Sequence, residues 1–308
     1  MAEKMATRQA YGEALTELGE KNPNIVVLDA DLSKSTMTVN FSKTFPERFF
    51  NMGIAEQNMY GVAAGLALSG KIPFASTFAM FAAGRAFEII RNSIGYPKAN
   101  VKICATHAGL TVGEDGASHQ AIEDIALMRA IPGMTVLNPA DGVSAKKLLA
   151  EAAELEGPVY VRLGRAAVPM LYKDGAQIEI GKGSCLKEGN DYTIIATGIM
   201  VNEAMNAAEM LEKEGIHVRV IDMHTIKPID QEIIIKAAKE TKGIVTAEEH
   251  SIIGGLGSAV AEVVSQNAPA KMKLIGVMDT FGESGKPAEL MEKYGLTAKH
   301  IYEAVKSL

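Results

Sequence analysis

Residues 101–137 read VKICATHAGLTVGEDGASHQAIEDIALMRAIPGMTVL, and this stretch decides the fold. Val101–Ala105 is a short apolar run of strand character, and a glycine-punctuated polar loop opens at its carboxyl end with His107. Gln120–Arg129 has helical spacing, and Met134–Leu137 is again a strand. The same alternation extends outward in both directions. Ile25–Leu28 predicts a strand followed by the polar loop Asp29–Thr38. Ile54–Ser69 is small and apolar all round, which predicts a buried helix. Ile72–Ser76 predicts a strand and Met80–Ile94 a helix. Asp141 is placed as N-cap of a helix running to Glu154, and Val159–Leu163 closes the series. Strands alternating with helices in this way predict a mostly parallel sheet covered on both faces. A composition shift follows over Gly164–Lys182, with Pro169, Gly175 and Gly181 and little periodicity. The pattern then restarts with strands at Tyr192–Ala196, His217–Ile221, Gly243–Ala247 and Met272–Val277. Helices at Asn202–Glu214, Ile229–Lys239 and Leu256–Gln266 separate them. The expectation is two doubly wound α/β domains, residues 1–168 and 185–308, joined by a linker over 169–184.

Composition agrees with that division. A chain of 308 residues exceeds one ordinary domain, and 47% hydrophobic against 22% charged residues excludes wholesale disorder. The formal charge of −6 and the lack of a long basic run argue against a nucleic-acid or membrane binder. Cys104 and Cys185 form no C-x-x-C pair, so a disulfide framework or cysteine-built zinc site is not expected and a reducing compartment fits. Met1–Glu20 has no uninterrupted apolar core, and apolar stretches such as Gly61–Leu68 fall far short of a membrane span. A cytoplasmic location is expected.

Three features carry chemistry. The loop His107–Gln120 holds His107, Glu114, Asp115 and His119 at a strand's carboxyl end, where open α/β sheets place ligands. A ligand-facing loop and a solvated loop whose acids cap the next helix both suit this spacing. Glu56 enters a helix with no polar face, and burial there would disfavour the charged carboxylate; the ordinary role of a first-turn acid is to offset the helix dipole. Phe78 and Phe81, three apart, share a helical face. Gly254-Gly255-Leu256-Gly257 suggests a dinucleotide turn, but the third glycine of the fingerprint falls at Val260, so a plain strand-to-helix turn is expected.

In one order along the chain stand Ala6-Thr7-Arg8, Asp29-Ala30-Asp31-Leu32, Gly53-Ile54-Ala55-Glu56, Ser76-Thr77-Phe78-Ala79-Met80-Phe81 and Gly113-Glu114-Asp115-Gly116-Ala117-Ser118-His119-Gln120. Together they resemble the pyrimidine-binding half of transketolase, a thiamine-diphosphate enzyme. Ile221-Asp222-Met223 and Thr246-Ala247-Glu248-Glu249-His250 resemble its C-terminal domain. The resemblance covers essentially the whole chain. The Gly-Asp-Gly motif with which the family holds diphosphate and divalent metal does not occur, since Asp115, Asp141 and Asp174 precede glycine in other contexts.

The resemblance therefore implies the C-terminal subunit of a split transketolase, transferring a two-carbon ketol unit from a ketose phosphate to an aldose phosphate. A natural chain starting at Met1 is expected rather than a truncated piece of a longer enzyme. The implied partner is an N-terminal-section subunit in an α2β2 heterotetramer, which would hold the diphosphate and its Mg2+ or Ca2+. By resemblance Glu56 hydrogen-bonds the aminopyrimidine ring nitrogen, and Phe78 and Phe81 pack around that ring. Asp31, Leu32 and Ile54 match other cofactor-side positions. A family tyrosine is replaced here by Gly84. His119 and Asp115 match groups that bind sugar hydroxyls and move protons, while His107, Arg8, Ser35 and Arg162 match positions near the sugar phosphate. The alternatives are a beta subunit of a 2-oxo acid dehydrogenase component, a split transketolase specialised for apulose phosphate or sulfo-sugars, and a non-catalytic scaffold subunit.

Overall fold

The strands, numbered along the chain, are β1 (Lys4–Ala6), β2 (Ile25–Asp29), β3 (Phe49–Asn51), β4 (Ile72–Phe78), β5 (Lys102–Thr106), β6 (Thr135–Leu137), β7 (Val159–Arg162) and β8 (Ala167–Pro169) in the first unit. The second unit contributes β9 (Ser184–Lys187), β10 (Tyr192–Ala196), β11 (Val218–Asp222), β12 (Thr225–Lys227), β13 (Ile244–Ser251) and β14 (Met272–Val277). The structure is a computed structural model and describes residues 3–308. Its larger sheet runs in the order β12-β6-β7-β5-β4-β2-β3, and its smaller one β14-β13-β10-β11-β9. Pairing from β6 across to β3 is parallel throughout. Every residue of β2, β5 and β7 is buried. Such strands are covered on both faces and so read as unbroken apolar runs in the sequence.

β12 is the exception. It belongs by sequence to the second unit, yet it pairs antiparallel with β6 as the edge of the first unit's sheet. β9 closes the smaller sheet antiparallel to β11. β1 and β8 form a separate two-stranded pair that ties the beginning of the described chain to the residues after β7.

Two expectations from the sequence change here. The small apolar helix spans Glu56–Leu68 and buries only one face, through Met59, Tyr60, Ala63 and Ala64. Its other side, with Gly61, Val62, Gly65 and Leu68, faces outward; Leu68 is 70% exposed and Ile54, just before the helix, 78%. Uniform apolarity does not say which side meets the sheet. The helix expected over Met80–Ile94 contains two π-helical stretches, Met80–Arg85 and Ile90–Gly95, around a short α-turn. Such widened turns accommodate an extra residue and recur at functional sites.

The helix Gly142–Glu154 starts at Asp141, whose Oδ1 accepts from Ser144 N–H at 2.8 Å while Ser144 Oγ accepts from Asp141 N–H at 3.0 Å. Asp141 Oδ2 also accepts from Leu171 N–H and Tyr172 N–H, anchoring the connecting segment. At the Gly254–Gly257 turn the helix N-terminus is filled from within. Glu248 accepts from Leu256 N–H at 2.6 Å and Gly257 N–H at 2.8 Å, and a Cβ at Gly255 would lie 2.0 Å from its Oε2. An internal carboxylate thus takes the place a cofactor phosphate would need. Among the described residues no helix is long and apolar enough to cross a membrane.

Asp222, at the end of β11, is fully buried with a single partner, Tyr172 Oη–H at 2.8 Å, and its Oδ1 has none. Burial pushes its carboxyl up to about 8. The folded chain therefore keeps a proton that the unfolded chain releases near its ordinary 3.8, and stability falls as pH rises between about 4 and about 8. Asp222→Asn is expected to flatten the decline of melting temperature over that window. At pH 8 it should gain roughly 2–4 °C for each kcal/mol recovered. Calorimetry from pH 5 to 9 checks this; parallel curves for parent and variant would show that Asp222 is ionised in the folded chain.

Candidate functional site

Loops at the carboxyl ends of β2, β3, β4, β5 and β7 converge on one edge of the larger sheet. Asp29, buried at the end of β2, organises the first loop: it accepts from Leu32 N–H (2.6 Å), Thr36 Oγ1–H (2.6 Å) and Thr38 Oγ1–H (2.9 Å). That network sets Asp31 and Leu32 at the rim. Asp31 holds a left-handed φ of 64° and accepts from Asn51 Nδ2 at 2.9 Å. A non-glycine residue in that region stores backbone strain, which gathers at functional sites. Among the residues predicted for the site, His107 is also left-handed, with φ 56°.

Four of the predicted residues meet in an aromatic cluster. The Phe78 ring stacks on the His107 imidazole at 3.9 Å and lies 6.0 Å from Phe81 at an interplanar angle of 16°. The His119 ring meets both phenylalanines edge-on, 6.3 Å from Phe78 and 5.4 Å from Phe81. Thr106 Oγ1 and Ser118 Oγ hydrogen-bond the Nδ1 atoms of His107 and His119 respectively.

Glu56 begins its helix only 1% exposed. The burial expected of this carboxyl is present, and both oxygens accept from Arg85 Nη1, at 2.9 and 2.8 Å. The Arg85 guanidinium also lies 4.5 Å above the Phe81 ring, linking the carboxylate to the aromatic cluster. Each carboxylate oxygen keeps a lone pair for a further donor.

A positive corner adjoins the histidines. Arg8 Nη1 donates to Ser35 O at 2.7 Å, while its buried Nε has no partner. Burial and the nearby Arg165 both lower the Arg8 pKa. Burial, with Arg8, Arg165 and His119 in support, pushes His107 down to about 3, so its imidazole is neutral at physiological pH. Arg8, Arg165 and His119 thus all lie near enough to bear on the His107 ring.

Arg162 does not join that corner. Its Nε donates to Asp124 Oδ2 at 2.9 Å and its Nη2 to Ala121 O (3.2 Å) and Glu249 O (2.9 Å), all out of water. The second unit covers the end of β7, so the arginine there is sealed into an ion pair. The phosphate-gripping role expected for Arg162 is withdrawn on this ground. Its removal would strand a buried carboxylate at a cost of about 3–5 kcal/mol. Arg165, three residues on and past Gly164, is partly exposed and was missed by sequence reasoning. Its Nη1 donates to Val112 O and Glu114 Oε2. Asp115 is exposed on its loop, Ser35 enters through its backbone carbonyl, and Leu32 is half-buried.

The pyrimidine-binding domain of transketolase matches residues 3–170, and the transketolase C-terminal domain residues 181–301. The chain belongs to the transketolase family. A Methanocaldococcus jannaschii protein named as a transketolase C-terminal section is 58% identical over 306 residues, covering 97% of this chain and 96% of that one. A 6-deoxy-6-sulfo-D-fructose transketolase subunit of Clostridium sp. is 44% identical over 297 residues, covering 96% and 92%. Human transketolase, 39% identical, matches through only 50% of its length. A solved split-gene transketolase, described as an inactive beta4 tetramer, superposes with TM-score 0.93 at 62% identity and 98% coverage of both chains. The relatives of this chain thus include both long chains and chains of about its own length.

Proposed function

We propose that this chain is the C-terminal-section subunit of a split transketolase, moving a two-carbon ketol unit between sugar phosphates. The observation that carries the reading is the convergence of Glu56, the Phe78–Phe81–His107–His119 cluster and the Arg8–Arg165 corner on one sheet edge. An aromatic wall with a carboxylate at one end fits an aminopyrimidine. Among the described residues no group of three His, Cys, Asp or Glu side chains could hold a metal ion. Diphosphate and Mg2+ or Ca2+ are accordingly assigned to an N-terminal-section partner, in an α2β2 complex.

When bound, thiamine diphosphate supplies the electron sink for cleaving the bond beside a ketose carbonyl. Glu56 would hold a proton at the pyrimidine ring nitrogen, and Phe78 and Phe81 would flank the ring beside Asp31, Leu32 and Ile54. His107, uncharged at neutral pH, exchanges hydrogen bonds with a sugar hydroxyl without repelling the arginines. His119 and Asp115 would move protons to and from the hydroxyls of donor and acceptor. Arg8 and Arg165 would take the terminal anion of the sugar. A guanidinium pair suits a sulfonate as well as a phosphate, so the sulfo-sugar substrate of the clostridial relative gives a second reading.

The test is reconstitution with an N-terminal-section subunit, thiamine diphosphate and magnesium. Ketose phosphate, 6-deoxy-6-sulfo-fructose and a 2-oxo acid are offered in turn, with and without an aldose phosphate acceptor. Acceptor-dependent consumption of a ketose supports the proposal; consumption of the 2-oxo acid alone would replace it with the dehydrogenase reading. Arg165→Ala is expected to lower kcat/KM for anion-bearing sugars about tenfold to hundredfold, since charge-assisted bonds are worth roughly 1.5–3 kcal/mol. Uncharged analogues should be nearly unaffected. An equal fall for both would mean that Arg165 serves the fold.

A further inference from the structure

The loop that bears His107, Asp115 and His119 is bonded to its own unit through Arg165, Leu163 and Ala121, and the second unit adds three further holds. Glu249, at the carboxyl end of β13 and buried, accepts from Thr111 N–H at 2.5 Å. It lies so close beneath the loop that a Cβ on Gly109 would come 2.3 Å from its Cδ, and Gly109 has a left-handed φ of 81°. At the far end, Gln120 Nε2 donates to Glu283 O at 2.9 Å as well as to Leu110 O at 3.2 Å. Ser284 Oγ–H donates to Glu114 O at 2.6 Å. The loop follows β5 of the first unit in sequence, yet three of its bonds reach partners more than a hundred residues away.

We propose that Glu249 is a positioning residue for the substrate-facing loop, acting through Thr111 N–H. In this assignment the C-terminal unit is a template that presents His107 and His119 to the sugar. The assignment rests on the transketolase reading for its consequence in turnover, but not for its structural content. Thr111 N–H fixes the short helical turn Leu110–Val112, and that turn fixes the path from His107 to His119. Without the carboxylate a buried N–H is orphaned beneath a glycine that has no side chain to fill the space. The loop would then sample other conformations while the sheets stay intact.

The experiment uses the whole chain, alone and with its partner subunit, as parent, Glu249→Ala, Glu249→Gln and Ser284→Ala. Hydrogen exchange is read without substrate. Glu249→Ala should speed exchange over residues 109–120 by about tenfold or more, with β10 and β11 unchanged. Glu249→Gln, whose amide oxygen can still accept from Thr111, should recover most of the protection. Ser284→Ala, which removes a different bond, should loosen the part of the loop around Glu114. In the assembled enzyme Glu249→Ala should raise KM for the sugar more than it lowers kcat. Unchanged exchange over 109–120, or an equal rise throughout the C-terminal unit, overturns the proposal. If Glu249→Ala does not fold, Glu249→Asp, whose shorter side chain draws the acceptor away from Thr111 N–H while keeping the charge, should speed exchange over 109–120 and decides in the same way. Absence of ketol transfer in the parent complex would sink the functional reading but leave the exchange result to decide the brace.

Discussion

Glu56→Gln, assembled with an N-terminal-section partner and saturated with cofactor, is expected to lose roughly 10²–10⁴-fold in ketol transfer, the range over which positioned acid–base groups contribute. The amide matches the carboxylate in shape and leaves Arg85 one acceptor, so the helix Glu56–Leu68 and the Phe81–Arg85 contact should survive. What it lacks is a titratable proton for a ring nitrogen. Exchange of the cofactor's C2 proton isolates that contribution from sugar binding. A variant that exchanges it at the parent rate would leave Glu56 as a helix-terminus acid paired to an arginine, and nothing more.

The second large effect is all-or-none. The chain purified alone, given thiamine diphosphate, magnesium and both sugar phosphates, is expected to turn over no substrate, and addition of the partner should restore activity. The reason is chemical. The residues gathered here can flank an aminopyrimidine and bind a sugar, but a diphosphate needs a metal and the ligands to hold it. On this reading the outward apolar side of the Glu56–Leu68 helix, with Ile54 beside it, is the face proposed for the partner. Titrating partner against a fixed amount of chain should give activity that saturates at equal numbers of each. Substantial turnover by the chain alone would overturn the split-enzyme assignment.

Much of the order of strands and helices was legible because strands such as β2, β5 and β7 are buried along their whole length and carry their own apolar signature. Met272–Val277 and Tyr192–Ala196 coincide with β14 and β10 to the residue. β12 was not legible: three residues pairing with a strand nearly ninety positions earlier leave no local pattern. The site divides along similar lines. The polar loop of His107 and His119 stood out at the end of a strand, whereas the shared helical face expected for Phe78 and Phe81 does not exist: Phe78 ends β4 and only Phe81 lies in the helix that follows. The Glu56–Arg85 pair could not be found, since it spans 29 residues and a widened helix. Arg162 and Arg165 show the limit most clearly. Both lie where β7 gives way to its loop, and only the second unit, packed over the first arginine and not the second, decides which one meets water. Gly164, which lets the chain turn away between them, was the available signal for Arg165.

The placement of β12 bears on how the molecule comes apart. Its pairing with β6 is reinforced by Asn138 N–H donating to His224 O at 2.8 Å and by Lys227 Nζ donating to Arg129 O at 2.8 Å and Ile131 O at 2.5 Å. The larger sheet therefore cannot complete its edge until the chain beyond residue 224 has been made. A fragment ending in the connecting segment would present β6 as an open, sticky margin, ready to recruit a strand from a neighbour. Heat or denaturant should accordingly melt both units in one coincident transition, and the two halves of the sequence, although each looks like a domain, would behave as a single folding unit.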